Sequence, residues 1–216
     1  MTERNSFFKI DDNHNPVLRV GEWEFNLPVG WWSRAYEYNW AAQHAMNRDG
    51  QHAMSGDGLY VADMGAGYTY RPFKDLLAMH GNKVAAIDAN EKIFDTPHVE
   101  NVKHHVSTFE NLVENFGEET FDKIFCISVL EDSGNKVEAL RSFKKVLKPG
   151  GQIILTFDSP HNDDLPCNHY PGVTMEEFFR IADETELSFG EVDMSRENAV
   201  FHEQFNLCVF HIVLTK

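Results

Sequence analysis

The amino-acid sequence predicts an α/β fold: a seven-stranded, mostly parallel sheet with an antiparallel last strand and helices on both faces. Three observations carry this expectation. From Leu59 onward, short apolar runs rich in β-branched residues alternate with amphipathic stretches, the pattern of repeated βα units. The first of these runs ends in a Gly-x-Gly turn before a helical stretch, as a strand does when it delivers the chain over a ligand. The last two runs, Leu187 to Met194 and Phe205 to Thr215, have only a polar connection between them and should therefore pair antiparallel.

Taken in order, the apolar runs predict strands over 59–64, 83–88, 99–106, 121–128 and 151–157. Helices are predicted over 71–80, 108–116 and 133–147, with a short one at 90–94. Ser107-Thr-Phe-Glu110 has the pattern of a capping box, and Thr174-Met-Glu-Glu177 opens a further helix over 175–185 in the same way. Lys148-Pro-Gly-Gly151 reads as a helix stop, glycine ending the helix and proline preventing its continuation. Ser159 to Gly172 holds Pro160, Pro166 and Pro171 and no hydrophobic period, so it should be a long loop covering a site. Residues 1–58 are aromatic-rich and irregular, with a helix expected over 34–47. They read as an extension or lid packed on a 59–216 core, the whole forming one structural domain.

Composition narrows the function classes. With 216 residues, 42% of them hydrophobic, the chain can bury one substantial core. A formal charge of -15, from 34 acidic against 19 basic side chains, repels a phosphate backbone, so nucleic acid is not the expected partner. No run approaches the roughly eighteen apolar residues of a membrane helix. The polar amino terminus lacks the form of a signal peptide, and Cys126, Cys167 and Cys208 show no CxxC spacing. A cytoplasmic protein without a membrane partner is expected.

The chemistry centres on Leu59-Tyr-Val-Ala-Asp-Met-Gly-Ala-Gly67, an apolar strand carrying Asp63 and turning through Gly65, Ala66 and Gly67. Glycine there lets backbone approach a ligand closely, and amides near the next helix can meet a polar group. Asp88 ends the following strand, with Ala89 after it. If the two strands are neighbours, that carboxylate can accept hydrogen bonds from both hydroxyls of a ribose at the switch point of an open sheet. A dinucleotide needs Gly-x-Gly-x-x-Gly, and the sixth position here is Tyr70, so that fingerprint fails.

These residues resemble the class I, Rossmann-like methyltransferases that use S-adenosylmethionine. Val61 to Gly67 is similar to the family's first motif, and Asp88 matches its ribose-binding acid. Phe121-Asp-Lys-Ile-Phe-Cys-Ile-Ser-Val-Leu-Glu131 is similar to the fourth-strand motif, and Leu147-Lys-Pro-Gly-Gly151 to the turn into the fifth strand. The resemblance implies that Asp63, Gly65, Ala66 and Gly67 border the methionine part of the cofactor, that Asp88 and Ala89 meet the ribose side, and that Ser128 and Val129 line the cleft. Ser107 and Thr108 replace the acid usual after the third strand, where they serve as adenine contacts or as a helix cap. Asp132 stands where many relatives have histidine, so no general base carries over. The implied reaction is direct displacement of a methyl group onto an oxygen or nitrogen of a small molecule or sugar, with a protein side chain as the other acceptor class. An inert cofactor-binding scaffold and a nicotinamide-dependent oxidoreductase stand as rival readings.

Two further segments bear on the site. Trp32, Tyr36 and Trp40, spaced by four, either pack a helix on the sheet or belong to a lid in which Arg34 clamps the cofactor's carboxylate. In the proline-rich loop His161 and His169 are candidates for deprotonating the acceptor, because imidazole titrates near neutral pH. The spacing of His161, Asp163, Asp164, Cys167 and His169 matches no compact metal-ligand set.

Overall fold

A computed structural model of the chain describes residues 5–20, 22–28, 30–45, 58–67, 72–165, 167 and 171–216. The chain begins with β1 (Asn5–Phe7), a hairpin of β2 (Val17–Val20) and β3 (Trp23–Asn26), and α1 (Arg34–Gln43). The βα units follow: β4 (Tyr60–Met64), α2 (Phe73–Met79), β5 (Lys83–Asp88), β6 (Val102–Val106), α3 (Leu112–Phe116), β7 (Phe121–Ile127), α4 (Lys136–Val146) and β8 (Leu147–Pro160). Then come α5 (Met175–Thr185), the short strands β9 (Ser188–Phe189), β10 (Val192–Asp193) and β11 (Phe201–His202), and the long β12 (Leu207–Thr215). Short 3-10 turns lie at Glu91–Asp95 and Leu130–Asp132.

The main sheet runs β10-β1-β12-β8-β7-β4-β5-β6, with β9 and β11 also paired to β12. β4 to β8 are mutually parallel, and β12 lies antiparallel on β8 from Leu207↔Pro160 to Thr215↔Gln152. From β4 the chain first builds outward through β5 and β6, then returns to β7 on β4's other side. The strand order therefore reverses between β4 and β7, and a crevice opens at their carboxyl ends.

Both faces of the sheet are covered, and the strands are accordingly apolar on both sides. Successive residues alternate between two buried layers. Ala62, Ala85, Ile87, Ile124 and Cys126 pack with α4 and α5 through Leu140, Phe143, Phe178 and Ile181. Val61, Val84, Ala86, Phe125 and Ile127 pack with α1 and α2 through Tyr38, Ala41, Phe73 and Leu77. The expected helices on both faces are present, and among the described residues no helix is long and apolar enough to cross a membrane.

Several details differ from the sequence-based expectation. The described sheet has ten strands where seven were expected. The 187–194 run splits: β9 pairs antiparallel with β12 as foreseen, whereas β10 turns away and pairs parallel with β1. β1 itself escaped notice because it is half polar. Buried Asn5 accepts the amide of Val213 at 3.0 Å and donates to the carbonyl of Glu191 at 3.2 Å, so its side chain satisfies backbone that a longer strand would have paired. The helix expected over 108–116 starts only at Leu112; the Ser107 hydroxyl donates to the Thr108 carbonyl, and no capping box forms. Thr174 does cap α5, accepting from the amide of Glu177 at 3.1 Å. α4 ends at Val146, before Lys148-Pro-Gly-Gly151, and a Cβ on Gly151 would come within 2.9 Å of the Lys148 carbonyl oxygen. The glycine thus serves close backbone approach at the start of β8, not helix termination.

Phe143 is fully buried on α4 and meets the ring edge of Phe109 at 5.3 Å between centroids. Phe143→Ala should cost about 3–5 kcal/mol through lost burial and the cavity left behind. Urea denaturation measures it, and a loss below about 1 kcal/mol would contradict the packing of α4 on the sheet.

Candidate functional site

The crevice at the strand reversal is a cleft of about 530 Å³. Its floor comes from the ends of four adjacent parallel strands: Gly65 and Gly67 after β4, Asp88 on β5, Ser128 and Val129 after β7, and Asp158 on β8. Its roof comes from Gly30 to Arg34 ahead of and at the start of α1, with Pro171, His202, Phe205 and Leu207 closing the far side.

The glycine turn and Asp88 meet directly. The Gly67 amide donates to Asp88 Oδ2 at 2.9 Å and the Asn90 amide to Oδ1 at 2.8 Å, which fixes the carboxylate while leaving each oxygen a second lone pair. Gly65 and Gly67 both take positive φ, 67° and 79°. A Cβ on Gly65 would lie 2.5 Å from Val129 Cγ2, so only glycine lets β7's extension close on the turn. Ser128 also takes a positive φ, 46°, uncommon for a residue with a side chain. The strain is held by its amide, which donates to the Thr156 carbonyl and to Thr156 Oγ1, each at 3.0 Å.

A feature the sequence reading missed organises the roof. Glu37 on α1 is 0% exposed. One carboxylate oxygen accepts Arg34 Nη1 at 2.6 Å; the other accepts the hydroxyls of Ser128 at 2.8 Å and Thr156 at 2.7 Å. Helix α1 is thereby bound to Ser128 just after β7 and to Thr156 within β8, and Arg34 is held against the cleft. Burial alone works against the charged guanidinium, but Glu37, with Tyr38, Glu131 and Asp158, outweighs it, and the Arg34 pKa is raised.

Beyond Arg34 the cleft is acidic. Glu131 Oε1 accepts the Asp158 amide at 3.3 Å. Glu131 Oε2 and Asp158 Oδ1 are buried with no hydrogen-bond partner among the described residues. Burial and the neighbouring Asp158 raise the Glu131 pKa well above the carboxylate range. Burial first, then Glu37 and Asp132, against the opposing pull of Arg34, push Asp158 up to about 7. Two carboxyls this close hold a proton near neutrality instead of both ionising.

The expected site residues are distributed as follows. Gly65, Gly67, Asp88, Ser128, Val129 and Arg34 line the cleft together. Asp63 and Ala66 lie beneath the turn, around a small void with Tyr38 and Ile127. Ala89 borders a shallow open depression on the outer side of Asp88, with Asn90, Glu91 and Val106. Ser107 is buried next to it: its amide donates to the Asp88 carbonyl and its hydroxyl accepts Asn115 Nδ2, while Thr108 stays exposed at the surface turn. His161 stands outside the cleft lining, stacked on Phe201 with centroids 4.2 Å apart. His169 and Tyr70 fall outside the described residues. Of the aromatic series, Trp32 reaches the cleft and touches His202, whereas Tyr36 and Trp40 pack against Phe8.

The Asp158 shift carries a stability signature. A carboxyl whose folded pKa is raised binds more protons folded than unfolded, so its contribution to stability falls as pH rises from 3.8 to about 7. His44, lowered to about 4 by burial and Lys123, and His104, lowered to about 4 by burial and His98, act in the opposite sense below 6.5. Asp158→Asn should therefore gain melting temperature relative to the parent as pH climbs through that range. A constant difference between the two melting curves would contradict the assigned shift.

A methyltransferase-domain family model matches residues 62–155, from the middle of β4 into β8. No curated protein matches the chain in sequence. Solved structures match its fold. An S-adenosylmethionine-dependent methyltransferase from Mesorhizobium loti superposes with a TM-score of 0.60 at 14% identity, over 83% of this chain and 98% of that one. One from Aquifex aeolicus gives 0.58 at 18%, over 85% and 92%. The 1,6-didemethyltoxoflavin-N1-methyltransferase of Burkholderia thailandensis, solved with its substrate and S-adenosylhomocysteine, gives 0.55 at 20%, over 82% and 80%. The chain thus carries a methyltransferase-domain match from β4 into β8 and shares the fold of these S-adenosylmethionine-dependent methyltransferases, with the glycine turn and Asp88 facing one crevice.

Proposed function

We propose that the chain transfers the cofactor's methyl group to an oxygen or nitrogen of a small molecule, and that the 530 Å³ cleft holds both reactants. The observation that carries this reading is the direct contact of the Gly67 amide with Asp88 at the cleft floor, with each Asp88 oxygen retaining acceptor capacity. Asp88 would take the two ribose hydroxyls. Gly65 and Gly67, with Asp63 and Ala66 supporting the turn from below, would border the methionine part, and Ser128 and Val129 would flank it from β7. Ala89, Ser107 and Thr108 stand on the outer side of Asp88, where the purine would emerge. Arg34, presented by Glu37, is the cation suited to the methionine carboxylate.

The cofactor supplies an activated methyl on a sulfonium, so the chain's task is alignment and exclusion of water. That Trp31, Trp32 and Arg34 line the cleft supports reading the 30–45 segment as a lid. That roof favours a compact acceptor over a protein side chain. The Burkholderia relative, whose substrate is a small molecule, is consistent with the same size class.

Asp88→Ala should weaken S-adenosylhomocysteine binding by at least about tenfold, the loss of charge-assisted hydrogen bonds of about 1.5–3 kcal/mol, while leaving the circular dichroism spectrum intact. Calorimetry measures it, and unchanged affinity would remove Asp88 from its role. Supplied with methyl-labelled cofactor and a cell extract, the chain should label the small-molecule fraction. Label confined to the protein fraction would refute the acceptor class.

A further inference from the structure

Resting on that reading, the geometry points to an acceptor that is an amine: its nitrogen is received by the carboxyl pair Glu131 and Asp158, and Asp158 takes the proton that must leave before methyl transfer. The argument begins with position. Asp88 and Asp158 end β5 and β8, separated by β4 and β7. Three strand intervals separate β5 from β8 by about 14 Å across the sheet. In the cofactor the sulfur is bonded to C5′ of the ribose. A ribose held at Asp88 therefore leaves the Asp158 end beyond the sulfur, where the nucleophile must stand.

That end is built for a positive charge. Glu131, 5% exposed, and Asp158 both line the cleft, and each keeps a buried carboxylate oxygen without a hydrogen-bond partner among the described residues. A buried acceptor atom without a donor is costly, and a ligand ammonium with two or three N–H groups satisfies both at once. Trp31, Trp32 and Phe205 share the lining, and an aromatic face attracts a cation where a neutral alcohol gains little. Arg34, the guanidinium lining the cleft among the described residues, is engaged by Glu37.

The proton balance closes without any further reagent. An alkylammonium gives one proton to the Asp158 carboxylate and becomes a free amine. Its lone pair then forms the N–CH3 bond as the S–CH3 bond breaks, leaving the thioether and an N-methylammonium. The Asp158 carboxyl returns its proton to solvent. The pKa raised to about 7 suits that exchange near neutral pH. The charged and titratable groups around Asp158 are Arg34 and Glu37 on α1, Glu131 and Asp132 in the turn after β7, Asp163 and Cys167 in the loop after β8, and Cys208 on β12 beside Arg196.

The test uses calorimetry on the full chain saturated with S-adenosylhomocysteine, with benzylamine and benzyl alcohol as probes of equal shape. Benzylamine should bind at least about tenfold more tightly than the alcohol, and Asp158→Asn and Glu131→Gln should each remove at least about tenfold of that affinity, with S-adenosylhomocysteine binding retained. Benzylamine keeps its proton between about pH 6 and about pH 8, so its affinity should rise over that range as Asp158 ionises and should be flat in Asp158→Asn. Equal affinity for the two probes, no benzylamine binding, or unaltered binding in both variants would overturn the proposal. Failure of S-adenosylhomocysteine itself to bind would instead bring down the functional reading beneath it.

Discussion

The active cleft depends on one buried carboxylate. Glu37 has no solvent access, and a charge so placed survives only if every oxygen finds donors. Its three partners, Arg34, Ser128 and Thr156, come from α1, the strained turn after β7 and the interior of β8. Thr156 in turn receives the Ser128 amide, so the left-handed backbone at Ser128 and the seat of α1 are fixed by the same small network. The route of β7 out of the sheet, the closeness of Val129 to Gly65 and the aim of Arg34 follow from it.

The cleft divides along its length into two chemical regimes. At β5, Asp88 is immobilised by two backbone amides and keeps acceptor capacity on both oxygens. At β8, Asp158 and Glu131 keep unpaired oxygens in a buried setting and so remain poised to exchange a proton. Arg34 lies near the acidic end, and its guanidinium opposes the rise that burial imposes on Glu131 and Asp158.

The parallel core was legible because its physics is periodic. β4, β5 and β7 are apolar on both sides, and the turn at Gly65 to Gly67 and the acid at Asp88 sit at the ends of such runs, where ligand contacts concentrate. What escaped was determined by partners far away in sequence. Asn5 and Ser6 look like a polar leader until Val213 and His211 are placed opposite them. Glu37 sits inside an aromatic stretch, and its importance comes from Ser128 and Thr156, 91 and 119 residues on. Glu131 was in plain view within a motif, yet its unpaired oxygen depends on a fold that brings Asp158 beside it. His161 was an attractive proton acceptor by chemistry alone, but the chain turns its ring onto Phe201.

The position of β1 has a consequence for how the molecule is made. It lies between β10 and β12, with Phe7 opposite Phe210, so a short early strand becomes ordered against strands far later in sequence. During synthesis the βα units can collapse as they emerge, but β1 must wait unpaired until β10 and β12, about 190 residues later, have left the ribosome. α1 follows β1 in sequence and touches the same strands through Phe8, Trp40 and His211. A nascent or truncated chain should thus carry a settled half-sheet with an open cleft, and competence to enclose a ligand would be the last property acquired.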